Sequence, residues 1–207
     1  MPLAAVAGTL ILAYAWAGPL AALARASFTA HMSLHMTVVA VAAPLIAAGF
    51  ARGVSDPVRW APRLFSPIPA SGVELAVVWA WHLPALHHAT RAHSLAFAAE
   101  QLSFLISGLL LWMSVLGGAP SSQVARAPAS LAALALTLGH MTLLGVLMSL
   151  SPRPLYRHRV LDPEALLDQQ RGGAVMLVIS TIACVAGGLV VGRRLMHTSA
   201  RAGLEDA

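Results

Sequence analysis

The chemistry available to this chain is concentrated in imidazoles and thioethers. Nine histidines occur in 207 residues of which only 10% are charged, and ionisable groups inside apolar segments cost enough to be functional candidates by default. The tightest grouping is His31-Met32-Ser33-Leu34-His35-Met36. Four residues make about one helical turn, so His31 and His35 share one face of a helix and Met32 and Met36 the adjacent one. Two imidazoles one turn apart can grip a single metal ion. Thioethers select soft ions, Cu(I) above all, whereas imidazole accepts copper, zinc and iron alike. The mixture therefore points to copper ahead of zinc. The plainer alternative is that Met is ordinary in apolar helices and that histidines at a helix start meet the lipid headgroups.

Further candidates lie along the chain. His82, in Trp79-Ala80-Trp81-His82-Leu83-Pro84, sits deeper in an apolar run, either as a second contributor to the same site or bonded to a carbonyl freed near Pro84. His140-Met141 repeats the His-Met pairing inside another run, and Glu100 places a carboxylate in a third. Both need a partner there. Asp168-Gln169-Gln170 precedes Gly172-Gly173 and Met176. Asp168 either orients an imidazole or stabilises a helix start, where an acidic side chain is worth about 0.3–1 kcal/mol. His87, His88 and His93 cluster in a connector that reads as a solvated loop, and His158 and His197 sit among arginines as surface residues.

These residues must be held by helices in a membrane. Hydrophobic residues make up 58% of the chain and mean hydropathy is +0.75, too apolar for a surface exposed to water. The apolar runs cover about 3–23, 31–50, 71–88, 94–116, 128–150 and 173–191, near the ~20 residues that cross a ~30 Å hydrocarbon core. They are continuously apolar without a period of two, so helices rather than barrel strands are expected. The predicted fold class is all-α: a single polytopic transmembrane helix bundle of about six spans, residues 1–207, bathed in membrane lipid. The first run is expected to be a retained helix, because no side-chain positive charge precedes it and it is long for a signal sequence.

The basic residues, 13 in all, are arginines scattered singly or in short groups between the runs. That is the pattern of topology determinants, not a nucleic-acid surface. Counted by span parity they nearly balance, and the Arg193-Arg194 pair tips the C-terminus, and with six spans the N-terminus, toward the cytoplasm. Parity also places His31, the His87–His93 group and Asp168 on one face of the membrane. Cys184 is single, so no intrachain disulfide forms, and it reads as a small buried residue. No nucleophile elbow, P-loop or zinc-protease motif is present, and no enzymatic activity is expected.

The chain resembles the CtaG family of membrane proteins that assist assembly of cytochrome c oxidase. The matching stretches are His31 to Met36 with Ala43-Pro44-Leu45, then Trp81-His82-Leu83-Pro84, then Gly139-His140-Met141-Thr142-Leu143-Leu144-Gly145 leading to Pro152-Arg153-Pro154-Leu155-Tyr156, and finally Asp168-Gln169-Gln170 with Gly173 and Met176. The resemblance implies a bacterial inner-membrane protein that supplies copper to the CuB centre, with the oxidase subunit carrying that centre as its partner and its site toward the periplasm. The chain departs from the family pattern at Gln101, where a histidine often follows the carboxylate, at His87-His88 in place of Tyr-Asp, and at Leu177 in place of tryptophan.

On the leading reading, His31, His35, His82 and His140 are imidazole ligands of copper as Cu(I), Met32, Met36, Met141 and Met176 are candidate thioethers, and Glu100 and Asp168 orient imidazoles by accepting a second N–H. At most three or four of these bind one ion together. Two other readings stay open: a haem b electron carrier held between His82 and His140 on facing helices, and a metal-free scaffold for an oxidase subunit. A homo-oligomer is compatible with all three.

Overall fold

The structure is a computed structural model describing residues 3–51, 53–156 and 163–205. His158 and Arg52, Arg157 and Arg159 lie outside the described residues, and the side chain of His197 is not described. Among the described residues the chain is helical throughout, with no strand.

Among the described residues, four helices are long and apolar enough to cross a membrane: Phe28–Phe50, Ser94–Leu116, Val124–Ser149 and Pro163–Met196. The other two apolar runs are broken, and proline is the cause in each. Helix α1 (Leu3–Ala17) stops at Gly18, and α2 (Pro19–Leu23) starts again on a proline whose fixed φ suits a first turn but whose ring cannot continue an existing one. Helix α6 (Pro67–Trp81) stops at His82, and α7 (Pro84–Ala92) restarts in the same way. Helices α1 and α6 have 15 residues each, about 22 Å at 1.5 Å per residue, less than the hydrocarbon thickness. So of the about six spans expected, four are found as continuous helices among the described residues, and His82 lies at the end of a helix rather than within one. Between them, α5 (Pro57–Trp60) is a single turn.

The second run forms one rod with a defect. Helix α3 (Phe28–Met36) passes into a π-helical stretch, Thr37–Ala42, and continues as α4 (Ala43–Phe50). Pro44 explains the wide turn, since it lacks an N–H and its ring would press on the carbonyl four residues back. A carbonyl in that turn finds another donor: Trp112 Nε1 donates to the Val39 oxygen at 2.9 Å. The bulge sits one residue after the His31–Met36 segment, in keeping with the tendency of such bulges to lie beside functional sites.

Helices α8 (Ser94–Leu116), α9 (Pro120–Ser149) and α10 (Pro163–Glu205) complete the bundle. Helices α9 and α10 approach closely at Gly145 and Gly173. A Cβ on Gly173 would lie 2.5 Å from Ser149 Oγ and 2.8 Å from the Gly145 carbonyl, so only a glycine fits there. One apolar cluster, with Phe28, Met32, Met36, Phe104, Met141 and Met176, packs at the end of the bundle that carries the histidines. A second, with Leu111, Trp112, Leu134 and Cys184, fills the other half, and Cys184 is buried there as expected.

Candidate metal centre

Helix α3 delivers the first two imidazoles. Ser27 caps it, its hydroxyl accepting from Ala30 N at 3.3 Å, and the i, i+4 spacing then turns His31 and His35 to the same side. They do not meet headgroups: each is 1% exposed, with ring centroids 4.3 Å apart. Helix α8 brings Glu100, which is 0% exposed, between them. His31 Nε2 is 3.1 Å from Glu100 Oε1 and His35 Nε2 is 3.3 Å from Glu100 Oε2. The ligand atoms of these three residues all lie within 4.8 Å of one another. Gln101, at the position where a histidine was expected from the resemblance, donates to Glu100 Oε2 at 3.3 Å and accepts from Trp16 Nε1 at 3.2 Å. It fastens the carboxylate to α1.

His82 joins this group from the break between α6 and α7. Its ring centroid is 6.0 Å from that of His35. The Val78 carbonyl, near the end of α6, accepts from the His82 backbone N–H at 3.2 Å and from ring Nδ1 at 2.6 Å. A carbonyl only accepts, so Nδ1 carries the proton and Nε2 of the neutral ring carries a lone pair. That Nε2 stands 3.4 Å from Met32 Sδ, itself a lone-pair group. A nitrogen and a sulfur facing each other with no proton between them are donors for a soft cation. The His82 ring thus bonds a helix-end carbonyl and also stands beside the His31–His35 pair.

His87 corrects the expectation of a solvated loop. It lies on α7, 1% exposed, with its ring 4.9 Å from His31, 4.4 Å from Tyr156 and 5.4 Å from Phe28. A cavity beside it is lined by Phe28, His87, Arg91, Tyr156, Asp168 and Gln169. His88 Nε2 donates to the Tyr156 carbonyl at 2.7 Å, and His93 is exposed at the start of α8. Imidazoles thus run from the cavity inward in the order His87, His31, His35, His82.

The segment Asp168-Gln169-Gln170 holds the surroundings together. Asp168 accepts from Ser27 Oγ at 2.9 Å, Phe28 N at 2.6 Å and Thr29 N at 3.0 Å. It therefore caps the start of α3 from a different helix; of the two parts weighed for it, orienting an imidazole or stabilising a helix start, these contacts are of the second kind. Gln169 accepts from Leu155 N at 2.6 Å and donates to the Met148 carbonyl at 3.2 Å, and Gln170 donates to the Ser151 carbonyl at 3.3 Å. These bonds fix the 151–156 connector, from which Tyr156 OH reaches the His82 carbonyl at 2.9 Å. Burial pushes the Tyr156 phenol above its ordinary pKa.

His140 stands in different company. Its Nε2 lies 3.9 Å from Glu74 Oε2 on α6, and Glu74 is 1% exposed. Sequence reasoning passed over Glu74, although a carboxylate inside an apolar run is itself the signal. Met36, Met141 and Met176 are buried in the apolar cluster around the site, and of the candidate thioethers only Met32 makes a polar contact with a histidine.

The donor set suits a transition metal. His31 Nδ1 and both ring nitrogens of His35 are buried without a hydrogen-bond partner, which costs stability unless something meets the lone pair, or the N–H, that each carries. The three-residue cluster offers two imidazoles and one carboxylate, with a third imidazole and a thioether at its edge. No curated protein and no solved structure matches the chain. The model of the family described as Cytochrome c oxidase caa3 assembly factor (Caa3_CtaG) matches residues 2–198 of the 207, and the chain belongs to that family.

Proposed function

We propose that this multi-pass membrane protein binds copper at the His31–His35–Glu100 cluster, with His82 and Met32 at its edge, and passes it to the oxidase subunit carrying the CuB centre. Copper is its cargo, and no catalysis is involved. The observation that supports this most is the set of buried imidazole nitrogens without partners around a carboxylate. Bonded to the ion, the lone-pair nitrogen of each ring would no longer be unsatisfied. Met32 beside the His82 lone pair favours Cu(I) over zinc. Glu100 accepts N–H from His31 Nε2, which fixes that ring's orientation and raises its basicity, and its charge offsets that of the ion. The cavity at His87 is the way in and out.

In this reading α1 with α2, and α6 with α7, complete two further crossings, giving six spans whose breaks lie at the ends of the bundle. Both termini then face the cytoplasm of a bacterial inner membrane, in agreement with Arg193-Arg194, and the cluster opens toward the periplasm. A break next to a ligand is reasonable, because irregular backbone in a membrane is tolerated where it lines a site.

The test is the metal content and absorption spectrum of detergent-purified protein expressed with copper, beside the His31→Ala/His35→Ala variant. Near-stoichiometric copper that the double variant loses, while still inserting and folding, is the expected result. A Soret band would replace this reading with the haem carrier. Neither metal nor haem would leave the scaffold.

A further inference from the structure

The end of the bundle away from the histidines carries a groove with a different chemistry. Helix α10 packs against α8 and against the π-helical stretch Thr37–Ala42, but hardly against α4, which parts from it after the wide turn at Pro44. The groove between α4, α8 and α10 has a volume of about 410 Å3, inside the range of about 300–1,000 Å3 found for ligand sites. Its walls include Ala40, Pro44 and Ala48 on the rod, Trp112 on α8, and Ala183 and Ala186 on α10. The one polar group among these side chains, the Trp112 indole N–H, is committed to the Val39 carbonyl. Along α10 the groove runs from Ile179 to Val190, about 16 Å at 1.5 Å per residue. That is roughly half of a ~30 Å hydrocarbon core, the depth of one leaflet, and too short for a partner helix packed across the whole membrane.

The groove ends on arginine. Leu116, the last residue of α8, and Val190 line its end, and Arg194 stands one turn beyond Val190. Arg194 Nη1 donates to the Leu116 carbonyl at 2.9 Å, which places a guanidinium at the mouth. Arg193 beside it is exposed. Arg126 on α9 lines the same small cavity as Arg194. Its Nη2 donates to the Ser114 carbonyl at 3.1 Å, and its Nε is buried without a hydrogen-bond partner. The acid that faces Arg126 is Asp56, whose carboxylate accepts from Val58 N at 3.0 Å and Gly118 N at 2.8 Å. Three arginines against that one carboxylate leave positive charge in excess at the end of an apolar groove.

We propose that this groove binds one anionic phospholipid, with an acyl chain along α10 between α4 and α8 and the phosphate paired with Arg193 and Arg194. An apolar wall of leaflet depth and a cation where the leaflet meets water match the two halves of that molecule. Basic pockets between transmembrane helices hold such headgroups, and a guanidinium meets phosphate oxygens in a bidentate pair. Leu116 is about 24 Å along α8 from Glu100, and the groove shares no residue with the metal centre, so the lipid site stands independently of the copper reading.

The experiment is native mass spectrometry of the full chain, released from detergent with phosphatidylglycerol and phosphatidylcholine of the same acyl chains at equal concentration. The expected result is one phosphatidylglycerol retained per chain, preferred over phosphatidylcholine by about tenfold or more. Arg193→Gln, at an exposed position, should lower that preference about fivefold, and Arg193→Gln/Arg194→Gln should abolish it. Ala186 is exposed in the groove, so Ala186→Leu fills it without entering the packed core and keeps both arginines. It should lose most of the phosphatidylglycerol, with size exclusion and thermal unfolding showing that it folds. Equal retention of the two lipids by the unmodified chain overturns the proposal. So does full retention by Ala186→Leu, since the arginines would then attract a headgroup with no chain in the groove. A dimer that persists without lipid and is lost in Ala186→Leu would assign the groove to a second copy of the chain instead. Failure of copper to bind would bear on the metal centre alone.

Discussion

Replacing Asp168 by Ala should loosen the candidate metal centre without touching any of its ligands. Its carboxylate accepts from Ser27 Oγ, Phe28 N and Thr29 N at 2.9, 2.6 and 3.0 Å, so one side chain on α10 satisfies the first turn of α3. Hydrogen bonds to a charged acceptor are worth about 1.5–3 kcal/mol each, but Asp168 is only partly buried and water can reach part of what it leaves. The loss then falls toward that of a helix cap, about 0.5–2 kcal/mol, plus about 0.3–1 kcal/mol for the charge at a helix start. Together these give about 1–3 kcal/mol, and Asp168→Asn, which keeps an acceptor oxygen but no charge, should cost about half. Since α3 carries His31 and His35 a turn or two further on, a shift of its first turn moves them against Glu100. Thermal unfolding followed by size exclusion should show a lower midpoint in the order wild type, Asn, Ala, and copper retention should fall in the same order. An Asp168→Ala protein that melts and holds copper like the wild type would refute the argument that α10 sets the position of α3.

Glu100→Gln keeps the volume of the side chain but removes the charge between His31 and His35, and copper affinity should drop by more than about tenfold with the fold intact; equilibrium copper titration measures it. His87→Ala leaves the three-residue cluster complete, so stopped-flow copper loading should slow while final occupancy stays near that of the wild type. Gly173→Val forces a side chain onto Ser149 and the Gly145 carbonyl, and should separate α9 from α10 enough to lower the yield of folded protein in detergent. Tyr156→Phe removes the bond to the His82 carbonyl, at a cost of about 0.5–1.5 kcal/mol. Because the folded phenol has the higher pKa, its stabilisation is complete below the unfolded value of about 10 and fades as pH rises through the folded one. The melting difference between wild type and Tyr156→Phe should therefore hold at neutral pH and shrink only in strong alkali.

Much of this protein was determined by local sequence. A chain this apolar must bury its backbone polar groups in helices, so the number and rough place of the apolar runs follow from composition, and Ser94–Leu116 coincides with the run read from sequence. The i, i+4 spacing puts His31 and His35 together in any helix, and span parity brings Asp168 and the His87 region to the same end. What the tertiary structure alone decided is which polar groups face one another. Asp168 caps a helix that begins 140 positions earlier. His87 turns inward against His31 because α7 restarts as a helix after Pro84, where a connector read as a loop would have left it in solvent. His140 meets Glu74 rather than His35. Hydropathy is a local average, in which one carboxylate among apolar residues disappears, and the rotation of one helix about its axis relative to the next is set by packing. Contacts such as Gly173 against Gly145, or the wide turn before Pro44, fix that rotation, and no spacing along the chain encodes it.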